Sequence, residues 1–325
     1  MSRTKTAPGT RRSRTRRWLV VALVLIAVIG LLLWILRACA PKPPPPTPPP
    51  TPPPTKAQSA DCPDVEVVVI PGTWESSARD DPFHPHANPK SLMLRVSSAL
   101  AQKFPANRAR VYTIPYTAQF RNPTNLGDRQ ADYDVSRRQG YLRTAGHITE
   151  VNKRCPITTF VILGFSQGAV IGGDAASNIG NGRGILNPED EGLVIGVGLI
   201  ADGRRVADQQ NDIGPNPPGV GAEVALGGFR NLVPGITMNG PREGGFGTLR
   251  DRVSGICAPG DLICDSPTVR NPLRAVGQLV SAASNPVHAL YATPKYWEYN
   301  GATATQWMYA WAVGVIDGAP HPKHF

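Results

Sequence analysis

From Cys62 onward the chain alternates short, mainly apolar runs with longer stretches in which apolar positions recur every three or four residues. The runs at 65–70, 111–114, 159–163, 193–200 and 252–256 are rich in Val, Ile and Leu, as strands covered on both faces are. Between them the spacing predicts helices over 91–104, 134–151, 167–178, 272–283 and 303–316. Strand–helix alternation implies an α/β fold, a three-layer α/β/α sandwich around a mainly parallel central sheet. Residues 202–256 break the pattern with twelve Gly and five Pro and read as a long loop excursion. A surface insertion is the preferred reading of that excursion, ahead of a flap bordering a functional site.

A different pattern precedes the alternation. Residues 18–36, WLVVALVLIAVIGLLLWIL, carry no charge, and as a helix they would extend about 28 Å, nearly the thickness of a bilayer core. Seven basic residues stand before this run, an arrangement that keeps residues 1–17 in the cytoplasm and sends the remainder across the membrane. The expectation is a single-pass signal anchor with Trp18 and Trp34 near its ends. A cleaved signal peptide is the rival, because Ala38-Cys39-Ala40 resembles a cleavage site, but the apolar run is longer than usual for one. Acylation of Cys39 fits less well, with Arg37 before it. All three readings export the rest of the chain. Residues 37–60 form a linker whose core, PKPPPPTPPPTPPPT at 41–55, favours a polyproline II stalk of roughly 45 Å. Residues 61–325 are left as the folded domain.

Charge changes meaning once it is located. The formal net charge is +10, yet residues 1–56 hold ten basic and no acidic residues, so the domain is formally neutral. That excludes a nucleic-acid-binding face, which must neutralise phosphates where it meets them. Export makes disulfides expected. Of five cysteines Cys39 is the spare, and spacing prefers Cys257 with Cys264, leaving Cys62 with Cys155. No C-x-x-C pair suggests a zinc site.

The chemistry is most legible at Gly164-Phe165-Ser166-Gln167-Gly168, a G-x-S-x-G between a predicted strand and a predicted helix. Such a turn lifts the serine hydroxyl above the sheet, and the N–H of Gln167, opening the helix, then faces a developing oxyanion. In the order serine, acid, histidine, only His288, His321 and His324 follow Ser166 and a later acid. His321 and His324 lie at the C-terminus and read as solvated tail, so His288 is the candidate base. Asp261, inside CAPGDLIC, is preferred as the acid, with Asp202 as its competitor.

Taken in order, Cys62-Pro63 before the first strand, the PGTWES turn, Cys155, GFSQG, the C-x-x-x-D-x-x-C of Cys257 to Cys264 and HALY resemble the cutinase family of serine esterases. The likeness covers roughly residues 60–290 and is strongest to its membrane-tethered lipid esterases of mycobacteria and their relatives. It implies a cutinase-like α/β-hydrolase with Ser166, Asp261 and His288 as catalytic triad and an oxyanion hole of Gln167 and Thr73. It also implies bridges Cys62–Cys155 and Cys257–Cys264, and no cofactor or metal. Implied substrates are lipid esters, phospholipids or acyl thioesters of the cell envelope, handled by a monomer. Acyl transfer to a sugar or glycolipid through the same triad is the neighbouring expectation, and a noncatalytic lipid-binding protein is the reading of another class. The chain is longer than compact cutinases within 202–256, between Asp261 and His288, and after His288.

Overall fold

Six parallel strands carry the domain: β2 (Val65–Ile70), β3 (Ala109–Thr113), β4 (Thr159–Phe165), β5 (Val194–Ile200), β6 (Asn211–Asp212) and β7 (Val253–Ile256), ordered β3-β2-β4-β5-β7-β6. This computed structural model describes Val28, Ile29 and residues 57–325 except 123, 124, 126, 230–232, 269, 270, 272, 273, 275, 276, 278–280, 283 and 284. The basic tail at 1–17, the apolar run at 18–36 and the stalk at 41–55 lie outside the described residues, apart from helical, exposed Val28 and Ile29, as does most of the helix predicted over 272–283. Among the described residues no helix is long and apolar enough to cross a membrane.

Both faces of the sheet are covered, which is why β2 and β4 are mainly apolar and buried throughout, the one charged residue within them, Glu66, being paired with Arg110 and His147. Val65, Val67 and Val69 turn to one face, where α1 (Leu92–Lys103) and α5 (Ala304–Asp317) bring Met93, Val96, Leu100, Met308 and Ala312. Val68 and Ile70 turn to the other, against Ile148 and Val151 of α2 (Tyr133–Arg154) and Ile171 and Ala176 of α3 (Gln167–Gly180). The result is the expected three-layer sandwich. Helix starts were readable: Ser91 accepts from the Leu94 N–H, and Thr303 with Gln306 forms a capping box. β3 begins two residues before the predicted strand because its first residues pair in register with Val65 and Glu66.

Cys62–Cys155 joins the lead into β2 to the end of α2, just before β4, across 93 residues of sequence. Closing so long a loop restricts the unfolded chain strongly, so Cys62→Ser with Cys155→Ser should lower the unfolding free energy by about 4 to 5 kcal/mol. Urea titration of the two proteins checks this; a midpoint unchanged at equal slope would refute it.

The C-terminus departs from the solvated tail expected of it. β1 (Ala57–Gln58) and β8 (Lys323–His324) form a two-stranded parallel sheet, and Arg108 donates to the carbonyls of Ile316, Ala319 and Pro320. His324 Nε2 lies 2.8 Å from Asp64, and His321 Nδ1 3.4 Å from the same carboxylate. These hydrogen bonds to Asp64 and to the Ser59 carbonyl hold the His324 pKa above its usual value. Both histidines are therefore engaged with Asp64, not with Ser166.

Candidate active site

In an open parallel sheet the crevice lies beyond the carboxyl ends of the strands, at the point where the strand order reverses. Here that point is between β2 and β4, and Thr73 and Ser166 follow their ends. Ser166 has φ 56° and ψ −121°, a conformation few side chains adopt, between the end of β4 and the start of α3. The turn needs its glycines: a Cβ at Gly164 would press into the Gly168 carbonyl, and one at Gly168 into the carbonyls of Ile70 and Pro71. The Ser166 hydroxyl makes no helix-capping bond. It is instead 2.7 Å from His288 Nε2.

His288 stands on a short 3₁₀ turn, Pro286–Ala289, capped by the Asn285 side chain. The Asn285 amide also donates to the Gly260 carbonyl at 2.9 Å, tying the histidine turn to the loop that carries the acid. The imidazole stacks on Phe165 at 5.0 Å between centroids, and its Nδ1 is 2.9 Å from Asp261 Oδ2. Asp261 is fully buried inside the small loop closed by Cys257–Cys264. Burial opposes its ionisation, but His288, the Tyr291 hydroxyl and the Ile263 N–H together outweigh it and hold its pKa below the ordinary aspartate value.

Asp202, the competing acid, is elsewhere engaged. Arg242 grips it with bonds of 2.6 and 3.0 Å, both residues buried, and Arg242 and Arg204 also meet Asp174 on α3. Burial works against the Arg242 cation, yet Asp202 and Asp174 keep its pKa above the usual arginine value. These pairs strap the excursion to the helix behind the serine.

Gln167 opens α3, where no preceding helical carbonyl takes its N–H. Its side chain is pinned aside, accepting from Ser136 and donating to the Gln119 carbonyl. Thr73 lies in the turn after β2, held by Glu75, whose carboxylate accepts from the N–H groups of Gly72 at 3.0 Å and Leu92 at 2.5 Å. Burial raises the Glu75 pKa against those backbone bonds. Thr73, Ser166, Gln167 and His288 all line one cavity of about 340 Å³, within the usual range for small-molecule sites. Much of its wall is apolar, including Leu92, Phe120, Val170, Met238 and Ile263.

That wall corrects the reading of 202–256 as a surface insertion: Gly203, Ala222, Glu223 and Met238 come from it and face the cavity. Glu223 sits on α4 (Ala222–Ala225), and burial raises its pKa although Arg137 opposes the shift.

Tyr291 is the residue sequence reasoning passed over. Its buried hydroxyl donates to Asp261 Oδ2 at 2.7 Å and accepts from the Ala258 N–H at 3.0 Å. Its place three residues after His288 in HALY was the available signal. Tyr291→Phe should raise the Asp261 pKa and lower stability by about 1.5 to 3 kcal/mol near neutral pH, the worth of a hydrogen bond to a charged group. The sign follows from linkage: a carboxylate with a depressed folded-state pKa stabilises above its unfolded value, and the contribution is lost as pH falls through the folded one. The stability difference between the two proteins should therefore shrink in acid, and a difference constant from pH 7 to pH 3 in denaturant titrations would be inconsistent with this.

Comparison with known proteins adds an independent observation. The family model for cutinase matches residues 61–286. The chain is 47% identical over 262 residues to the carboxylesterase Culp6 homolog of Corynebacterium glutamicum, covering 79% of this chain and 82% of that one. Among solved structures, the catalytic core of acetyl xylan esterase from Trichoderma reesei is similar at 18% identity and TM-score 0.43, over 70% of this chain and 98% of that one. A cutinase-like protein from Cryptococcus sp. is similar at 18% identity and TM-score 0.44, over 81% and 100%.

Proposed function

The chain belongs to the cutinase family and is an ester hydrolase, and from that premise we propose that it cleaves acyl esters or thioesters of envelope lipids through Ser166, His288 and Asp261. The observation that carries the reading is the hydrogen-bonded line from Ser166 Oγ to His288 Nε2 and from His288 Nδ1 to Asp261, opening on a largely apolar cavity.

His288 Nε2 accepts the Ser166 proton as Oγ attacks the carbonyl carbon. Asp261 fixes the tautomer that leaves Nε2 free to accept, and stabilises the imidazolium that results. Negative charge then collects on the former carbonyl oxygen, where the Gln167 N–H and the Thr73 N–H and hydroxyl receive it. His288 returns the proton to the departing alcohol or thiol, leaving an acyl-Ser166. Water, deprotonated by the same imidazole, attacks that ester; the acid leaves and Ser166 regains its proton. No step calls for a metal or organic cofactor.

Lipid as substrate rests on the apolar wall and on the N-terminal run at 18–36, which would hold the domain beside a membrane. Two disulfides favour an oxidising location outside the cytoplasm. The test is a panel of p-nitrophenyl esters, phospholipids and acyl thioesters offered to the full-length protein in vesicles and to the polypeptide from Lys56 onward. Both should hydrolyse dispersed short esters equally, and the full-length protein should turn over vesicle lipid faster, because tethering raises local concentration. Equal rates on vesicle lipid would remove the tether from the account. Turnover of short esters with none of any lipid ester would restrict the reading to a plain carboxylesterase.

A further inference from the structure

Beside the catalytic cavity lies a second, polar cavity of about 670 Å³, lined among others by Asp134, Arg137, Asp174, Arg204, Asn239 and Arg242. The two have no lining residue in common, but one cluster separates them, buried at Tyr133 and Glu223 and half-buried at Arg137 and Asn239. Tyr133 and Glu223 face the catalytic cavity; Arg137 and Asn239 face the polar one. The Glu223 carboxylate joins all of them: it accepts from the Tyr133 hydroxyl at 2.7 Å, from Arg137 Nη1 at 2.8 Å on both oxygens, and from the Asn239 N–H at 3.1 Å. The partition is therefore one ion pair thick.

We propose that the Glu223–Arg137 pair is the end wall of the acyl-binding part of the catalytic cavity and sets the longest acyl chain the enzyme accommodates. This rests on the hydrolase reading above and names the substrate feature that the same site selects.

The approach to the wall is apolar: Phe120, Tyr133 and Met238 belong to one hydrophobic cluster, the two rings meeting edge to face at 5.8 Å, and Ala222 precedes Glu223. A chain growing along this surface gains apolar contact with each methylene, about fourfold in kcat/KM per carbon for complete burial. At Glu223 the gain stops. The carboxylate oxygens already carry four hydrogen bonds, and a methylene placed there would part the buried Glu223 carboxylate from its half-buried Arg137 partner with nothing to replace its bonds. The polar cavity beyond offers guanidinium groups and carboxylates, not hydrocarbon contact.

Removing both charges together avoids stranding one of them, so the test pairs Glu223→Ala with Arg137→Ala. The rate profile over p-nitrophenyl esters from butyrate to palmitate is the readout, normalised by titrating active serine with a fluorophosphonate. In the native protein kcat/KM should rise with chain length and then level off or fall. In the double variant the two cavities merge, the break should move to longer chains, and the palmitate-to-butyrate ratio should rise at least tenfold. Ala222→Phe, which leaves the ion pair in place and fills the approach to it, should move the break to shorter chains. That second variant keeps the test informative if the first fails to fold. A profile unmoved by Ala222→Phe, or a double variant in which all chain lengths lose rate equally, would overturn the wall and leave the pair a structural one. A native protein that neither labels nor hydrolyses butyrate would instead overturn the hydrolase reading itself.

Discussion

Ser166→Ala and His288→Ala should each lower kcat toward p-nitrophenyl butyrate by about six orders of magnitude, and the double variant should lose little more than either alone. As a triad, Ser166, His288 and Asp261 would act as one unit: without Oγ there would be nothing to acylate, and without the imidazole Oγ would keep its proton at neutral pH. Both proteins should still fold. The Ser166 hydroxyl makes no capping bond to α3, and the strained turn is imposed by Gly164 and Gly168, whose missing side chains let the backbone close against Ile70 and Pro71. Thermal unfolding within a few degrees of the native protein, together with turnover at background, is the expected pair of measurements. Residual kcat within a hundredfold of native for either variant would mean that another group supplies the nucleophile or the base.

Asp261→Asn should cost about four orders of magnitude in kcat. An amide can present its N–H toward His288 Nδ1, which favours the tautomer with the proton on Nε2, the wrong end for receiving one from Ser166. Asp202→Asn is the matched control, and the two acids should fail in different ways. Asp202 is the buried counterion of Arg242, so its loss leaves that cation inadequately paired and should lower stability by about 3 to 5 kcal/mol while turnover per folded molecule persists. Kinetics normalised by active-site titration separate the two effects. If Asp202→Asn abolished turnover in folded protein while Asp261→Asn kept it, the roles assigned to the two acids would have to be exchanged.

What sequence disclosed and what it hid follow from the range of the interactions. Central strands such as β2 and β4 were legible because a doubly covered strand is an almost wholly apolar run, broken in β2 only by Glu66, and the serine turn because its two glycines are a local steric requirement. β1, β6 and β8 are two residues each, too short to carry any periodicity. The part played by 202–256 was hidden for a related reason. Its shape comes from ion pairs to distant positions, Arg204 to Asp174 and Glu223 to Arg137, and a Gly- and Pro-rich segment shows no period that would reveal them. The C-terminal histidines looked solvated because Asp64, their partner, stands about 260 residues earlier in the chain. Tyr291 is a middle case, close to His288 in sequence, but its bond to Asp261 exists only once the acid loop has folded beneath it.

The most direct test of the account is covalent. An alkyl fluorophosphonate phosphonylates a serine, with loss of fluoride, only where a base removes its proton and an oxyanion site receives the developing charge, so an adduct at one residue reports the whole constellation at once. Native protein treated with the reagent and digested should carry a single adduct, on Ser166, formed in step with loss of esterase activity, abolished by prior heat unfolding and slowed severely in His288→Ala. Undiminished esterase activity with Ser166 unmodified, or labelling of Ser166 at the same rate in the His288→Ala protein, would contradict it.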